Sequence, residues 1–563
     1  RAGEEAAGLL GPPPGRRRSF ESILRVLEAT RSEKETKGYY VRFGSASFGT
    51  ARAEELGDIL ADIRTKIPVY CHAEGLGNSS ILAAARGCTK ISLAPSGAVE
   101  TVGIAAQVIY LHKLLSEELH IDVDILQVGK FKGAEEPLTR DGPSPEARES
   151  LEGMLVDVRS SWLDGIAQGR SGHAGVREAV EDGPFSAPVA KDRGLIDAIA
   201  YEDDARAEAK KAVSAVRDDV RYGPGSGRGD DGPDLDDVLK VFAGDDSSTP
   251  QVMVLRAVGS ISMGGGGSLM GDDGITEKAL VRRIKRVADD DAVRAVVLRI
   301  DSPGGSALAS DLIWHELMKL RKKKPLVVSV GDMAASGGYY LASTGNEIFA
   351  EPTSIVGSIG VVGGKIGIGD TLAQVGVHVE TFPAKKGDDA AKARAAYESP
   401  FVPWDDATRA RVLSSMTGIY DLFLTRVAEG RKTSVDKITP SAEGRIFSGV
   451  EGKRRGLVDT LGGLDAAIRP AKELANLPSD AIVRVFPAAP RILKALYGSS
   501  GPDAREPPLD LAAVDPAKLA APSPWLAYAH GVAPEAFVFA ESLAPLAERE
   551  HYACAVPFAL IVR

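Results

Sequence analysis

Three cysteines among 563 residues, Cys71, Cys88 and Cys554, are too few for a disulfide framework or a four-cysteine zinc site. Cys71 and Cys88 could pair in an oxidising compartment, but buried free thiols are the commoner arrangement and the one expected here. Basic charge is in deficit too. With 68 Lys and Arg against 78 Asp and Glu the net charge is −10, which argues against the basic surface that nucleic-acid binding needs. No run reaches the roughly 18 uncharged apolar residues of a membrane-spanning helix. Residues 552–562 are apolar but too short, and prolines interrupt the segment around Trp525. The chain opens at Arg1 without Met, so a removed upstream segment, a signal peptide or a membrane anchor, is the expectation. What remains is ordinary for a globular protein, 44% hydrophobic and 26% charged, which excludes a wholly disordered or collagen-like chain. At about 150 residues per domain the length suggests roughly four domains, or fewer with large cores.

The chain repeats itself. Val41-Arg42-Phe43-Gly44-Ser45 corresponds to Leu298-Arg299-Ile300-Asp301-Ser302, and Ile91-Ser92-Leu93-Ala94-Pro95 to Ile348-Phe349-Ala350-Glu351-Pro352. Thr101-Val102-Gly103-Ile104 matches Ser358-Ile359-Gly360-Val361, and Ala167-Gln168-Gly169-Arg170 matches Ala428-Glu429-Gly430-Arg431. Phe185-Ser186 through Asp197 pairs with Phe447-Ser448 through Asp459. A period this long means two tandem domains rather than a solenoid. The expected division is an N-terminal extension at 1–19, a first repeat at 20–221, a linker at 222–249, a second repeat at 250–487 and a Pro/Ala-rich tail at 488–563. Gly, Pro and Asp crowd the linker, and the tail has no counterpart in the first copy.

Each copy alternates strands and helices. In the second, residues 296–300, 326–330 and 347–350 read as short buried strands, with helices over 309–320 and 336–343. Apolar runs of this length suit strands covered on both faces, so the fold class is α/β, two tandem units of alternating strands and helices.

Two loops carry chemistry. Asp301-Ser302-Pro303-Gly304-Gly305-Ser306 follows a strand, and its glycines let backbone N–H groups approach a ligand. In Gly331-Asp332-Met333-Ala334-Ala335-Ser336-Gly337-Gly338-Tyr339-Tyr340 a strand ends and a serine opens a helix. Ser336 as nucleophile, with the Gly304 and Gly337 amides as oxyanion hole, makes a coherent acyl-transfer site. Taken singly, such a serine is most often a helix N-cap and such a glycine turn only a turn. The first copy serves as a control: it has Ala46-Ser47-Phe48 and Ser79-Ser80-Ile81 where the second has the glycines. Glycines needed only for folding should be present in both copies, so their loss from one favours function in the other.

A serine needs a base. None of the eight histidines lies in a motif near Ser336; His315 falls in a helix and His378 in a strand-like run. Lysine is the alternative, provided burial keeps it neutral. Gly129-Lys130-Phe131-Lys132-Gly133 and Lys385-Lys386-Gly387 offer candidates. The Gly264–Gly267 run has no following Gly-Lys-Ser/Thr and reads as a mobile loop rather than a phosphate cradle.

Together Asp-Ser-Pro-Gly-Gly, Met-Ala-Ala-Ser-Gly-Gly-Tyr-Tyr and Pro-Thr-Ser-Ile-Val-Gly-Ser-Ile-Gly at 352–360 resemble the signal peptide peptidase A family, in its long duplicated bacterial form, over roughly residues 20–487. The glycine loops are also similar to those of the Clp proteolytic subunit and the crotonase fold. The resemblance implies a Clp/crotonase-like fold and a Ser-Lys dyad split between the halves. It maps the base onto Lys132, in Gly129-Lys130-Phe131-Lys132-Gly133-Ala134-Glu135-Glu136-Pro137, and a lysine-positioning serine onto Ser358. Lys386 is the rival, because short forms of the family carry both residues in one repeat. The implied function is a serine endopeptidase acting on hydrophobic peptides such as signal-peptide remnants, with no cofactor and no metal. It also implies a homotetramer tethered to the inner membrane at its periplasmic face, through a segment outside the sequence. A crotonase-type acyl-CoA enzyme, which needs a carboxylate base, and a non-catalytic scaffold are the competing readings.

Overall fold

The computed structural model describes residues 20–31, 35–44, 48–217, 249–263, 274–385, 387–486 and 552–554. The N-terminal extension, nearly all of the linker, the Gly264–Gly267 run and Lys386 lie outside the described residues, as do Ala46 and Ser47.

Three sheets organise the chain. The first contains only first-copy strands, with Tyr39–Phe43, Val69–Gly77 and Lys90–Glu100 side by side and parallel. The second is built from second-copy strands around Gln251–Val258, Val293–Ser302 and Leu326–Ala335, again parallel. The third mixes the copies, since Asp122–Val128 of the first runs antiparallel to Val361–Gly367 of the second, Val128 opposite Val361. This is the α/β architecture expected from the alternation of strands and helices, with the antiparallel pairing added.

The period-2 alternation of a strand explains how the copies dock. On Val293–Ser302, Val296, Leu298 and Ile300 enter the core of the second copy, while Ala295 and Val297 enter the core of the first. Val328 and Val330 face the former and Val327 the latter. The central sheet is therefore buried on both faces, as its mainly apolar strands require, and the first copy supplies one of the covers. Charged groups cross the same seam. Arg299 and Glu55, 2% and 3% exposed at their side chains, pair at 2.7 Å. Glu54 accepts hydrogen bonds from the Thr353 amide and hydroxyl at 3.0 and 2.7 Å.

Equivalent bonds mark the duplication. Arg170 pairs with Asp197 at 2.7 Å and Arg431 with Asp459 at 2.6 Å. Asp197 accepts from the Ile91 amide as Asp459 accepts from that of Ile348. Two expectations need correction. Cys71 and Cys88 form a disulfide instead of remaining free thiols, since strand and helix end bring their Cα atoms to 5.9 Å. His378 lies in no strand: the chain after Gly369–Gln374 runs exposed there, because residues 375–379 have no partner strand among the described residues.

Candidate active site

The strand Leu326–Ala335 ends at Ser336, which turns the chain into the helix Gly337–Ala342. Its backbone has φ 56° and ψ −116°, a conformation rare for a residue with a Cβ, and its amide donates to Gly357 O at 2.8 Å. The side chain makes no capping bond to its own helix. It meets Lys132 instead, with Nζ 2.7 Å from Ser336 Oγ, and both residues are 0% exposed. Ser79 and Ser80 of the first copy behave differently. They sit in the first turn of Asn78–Gly87, where Ser80 Oγ accepts from the Gly77 amide at 2.9 Å. There the serine is a cap.

Lys132 reaches the second copy because its loop follows directly from Asp122–Val128, the strand inserted into the mixed sheet. Phe131 N–H donates to Glu443 O at 2.8 Å, and Gly133 N–H to Gln127 Oε1 at 2.8 Å. Lys132 Nζ also lies 2.9 Å from Ser358 O and 3.1 Å from Ser358 Oγ. Ser358 is buried, with φ 55°, and its amide donates to Arg445 O at 2.6 Å. Three hydrogen-bond partners thus fix one amine at the seam between the copies.

Gly304 and Gly337 come together as well, since a Cβ built on Gly337 would lie 3.2 Å from Gly304 Cα. The Gly304 N–H donates to Ser302 Oγ at 3.2 Å, so it is engaged within its own loop. Beside that loop, Tyr552–Cys554 of the tail pairs antiparallel with Gly305–Ser306 and with Val362–Gly363. An extended segment of the tail therefore lies between the Gly305–Ser306 loop and the mixed sheet.

Of the remaining candidates, Lys130 is exposed and pairs with Glu443 at 3.6 Å, and Lys385 pairs with Asp388 at 2.7 Å. His315 is exposed on its helix. Sequence reasoning missed Gly444. Its φ is +83°, and a Cβ there would stand 2.3 Å from Lys132 Cα, so only glycine lets the second copy close over the lysine. A lone Glu-Gly-Arg turn carries no chemical motif; the signal is its place, three residues before the matched Phe447-Ser448. Glu135, three residues beyond Lys132, is buried as well. Burial pushes its carboxyl up to about 7, with the charge of Arg140 acting in the opposite sense.

Fold and site define a tandem α/β protein with a serine–lysine pair at the seam of its copies. The chemistry open to such a pair is attack by an activated hydroxyl on a carbonyl carbon. Comparison with known proteins then makes the assignment particular. The model of peptidase family S49 matches residues 61–216 and 318–478, and the chain belongs to that family. It is 32% identical over 450 residues to the chloroplastic serine protease SPPA of Arabidopsis thaliana, covering 78% of this chain and 63% of that one. It is 32% identical over 400 residues to protease 4 of Salmonella typhi, covering 69% and 61%. Protease 4 of Haemophilus influenzae is 27% identical over 438 residues, covering 74% and 66%. The chain thus spans between 61% and 66% of the length of these relatives.

Proposed function

We propose that the chain is a serine endopeptidase in which Ser336 is the nucleophile and Lys132 the general base. The 2.7 Å contact between Lys132 Nζ and Ser336 Oγ carries the reading. Burial disfavours an ammonium relative to an amine, and the amine is the form a base needs. Lys132 takes the hydroxyl proton as Ser336 Oγ attacks the peptide carbonyl. The Gly337 amide, and the Gly304 amide once turned from Ser302 Oγ, hold the oxyanion. As the tetrahedral intermediate collapses, the C–N bond breaks and Lys132 returns the proton to the leaving amine. A water deprotonated by Lys132 then cleaves the serine ester and frees the carboxylate. Ser358 keeps the amine aimed. The division of labour follows the repeats, with the lysine from 20–221 and the serine and oxyanion loop from 250–487.

A peptide as substrate is supported by the extended segment already held beside Gly305, and by the names of the relatives, which include a putative signal peptide peptidase of Enterococcus faecium. Short hydrophobic peptides such as signal-peptide remnants are the proposed class. Attachment to a membrane at its periplasmic face and assembly as a homotetramer rest on the family resemblance. The Cys71–Cys88 disulfide suits an oxidising compartment. Among the described residues no helix is long and apolar enough to cross a membrane.

The test is cleavage of a leucine-rich peptide. Wild-type protein is expected to cleave it, and Ser336→Ala and Lys132→Ala to lose at least about a thousandfold in rate while staying folded. Full turnover by Ser336→Ala would refute the proposal.

A further inference from the structure

The parallel ladder between Val293–Ser302 and Leu326–Ala335 breaks immediately before the site. Ile300 is opposite Val330, but the next paired residues are Ser302 and Ala334. One residue, Asp301, therefore faces three, Gly331, Asp332 and Met333, and across this bulge no backbone pair holds the strands until Ser302 and Ala334 meet. The two loops that must cooperate diverge just beyond that single pair, one through Gly304 and the other through Ser336. Side chains take over the bridging. Asp301 Oδ1 accepts from the Met333 amide at 3.2 Å, replacing a missing ladder bond. Gly331 leaves room for it, as a Cβ there would lie 2.9 Å from Asp301 Oδ2.

The remaining member comes from the other repeat. Arg52, in the first turn of the helix Thr50–Arg64, is hydrogen-bonded through Nη2 to Asp301 Oδ2 and ion-paired through Nε to Asp332 Oδ2 at 3.1 Å. Its backbone amide also donates to Asp332 Oδ1, at 3.3 Å. The helix start is pressed against this carboxylate, for a Cβ on Gly49 would stand 2.0 Å from Asp332 Oδ1. One guanidinium thus links two like-charged carboxylates at the root of the oxyanion loop and of the nucleophile turn. Without it their repulsion would act to part the strands across the bulge, where only the flanking pairs Ile300–Val330 and Ser302–Ala334 oppose it. In the aligned copies Ala309 occupies the position of Arg52, so the device exists only where the first repeat meets the second.

We propose that Arg52 is a positioning residue for the peptidase reaction: by clamping Asp301 to Asp332 across the bulge, it sets the distance between the Gly304 loop and Ser336. The first repeat then contributes twice to the site, a base through Lys132 and the spacing of the oxyanion loop through Arg52. This inference rests on the assignment of Ser336 and Gly304 given above. The clamp stands behind the reacting atoms, so its loss should act on the transition state more than on substrate binding, and a displacement near 1 Å is worth about a hundredfold in rate.

The experiment measures steady-state hydrolysis of a leucine-rich peptide by full-length wild type, Arg52→Ala, Arg52→Lys and Asp332→Asn. Each sample is first titrated with a fluorophosphonate to count reactive Ser336. A wild type that neither reacts with the fluorophosphonate nor cleaves peptide would contradict the Ser336 assignment itself. With that assignment standing, Arg52→Ala should lower kcat per titrated site about 10- to 100-fold with KM within about threefold, and Arg52→Lys should recover part of the loss. A purely structural role would reduce the number of titratable sites and leave kcat per site unchanged; that result, or equal impairment in Arg52→Lys and Arg52→Ala, would overturn the proposal. Should Arg52→Ala fail to fold, Asp332→Asn decides. It keeps an oxygen for the Arg52 amide, and kcat per site equal to wild type would overturn the proposal in the same way.

Discussion

Ser336 and Ser358 share an unusual positive φ, 56° and 55°, and both turn their hydroxyls to the same amine, Lys132 Nζ, at 2.7 and 3.1 Å. A left-handed φ at a residue with a Cβ is held only where the surroundings over-determine it, and such residues gather at functional sites. Each serine is tied by its amide to a neighbouring carbonyl, Gly357 O for one and Arg445 O for the other.

The two hydroxyls differ in what their loss should do. Ser358→Ala removes one of three bonds to the amine and leaves Ser358 O in place, so the rate of peptide cleavage should fall about tenfold, a rise of about 1.4 kcal/mol in the barrier. Ser358→Gly should lose as much activity while relieving the backbone. Comparing kcat and urea midpoints of the two variants checks this.

Gly444→Ala should be far more damaging than its size suggests. The added methyl meets Lys132 Cα at 2.3 Å and the φ of +83° is unfavourable for alanine. A stability loss of about 1–3 kcal/mol in urea unfolding is expected, with a larger proportional loss of activity because the displaced atoms carry the base.

Arg299 and Glu55 form a buried pair between the repeats. Glu55→Ala would leave the guanidinium without its carboxylate, and about 3–5 kcal/mol of stability should be lost. Unfolding by denaturant, followed by circular dichroism, measures it; a change below about 1 kcal/mol would contradict the seam described.

Glu54 and Glu351 predict how that seam answers pH. Burial pushes Glu54 up to about 7, against its bonds from Thr353 and the charge of Arg86, with Asp58 adding to the rise. Burial raises Glu351 well above the usual range too, reinforced by Glu54, Asp58 and Glu55 and opposed by Arg86. Below about pH 4.5, the ordinary value for Glu54, folded and unfolded chains both bind its proton. From there to about pH 7 the unfolded chain releases the proton while the folded chain keeps it, so this contribution to stability falls as pH rises. Glu54→Gln, which retains an acceptor for Thr353, should flatten the dependence in melting curves collected across that range.

Much of this was legible in the residues, for definite reasons. Val296, Val297, Leu298 and Ile300 announce a buried strand by an apolar run that only Arg299 interrupts, and the glycines of 304–305 and 337–338 stand out because the first copy lacks them. The pairing of Cys71 with Cys88 was not legible, because two thiols 17 residues apart in sequence say nothing of distance until strand and helix are placed. Arg52 and Gly444 were hidden for a related reason. Their roles come from contacts across the seam or from burial, and a charged residue in a helix start or a glycine in a turn reads locally as solvated surface. Lys132 was singled out only through its motif, since nothing in its neighbours marks it as buried.

The most direct measurement is mass-spectrometric mapping of the adduct formed by a fluorophosphonate on full-length protein, compared with Lys132→Met, which fills nearly the same space without a basic nitrogen. A single adduct on Ser336, formed rapidly in wild type and slowed at least about a hundredfold in Lys132→Met, is the predicted result. Equal labelling of Ser336 in the two proteins, or an adduct on another residue, would contradict the pairing of amine and hydroxyl across the repeats.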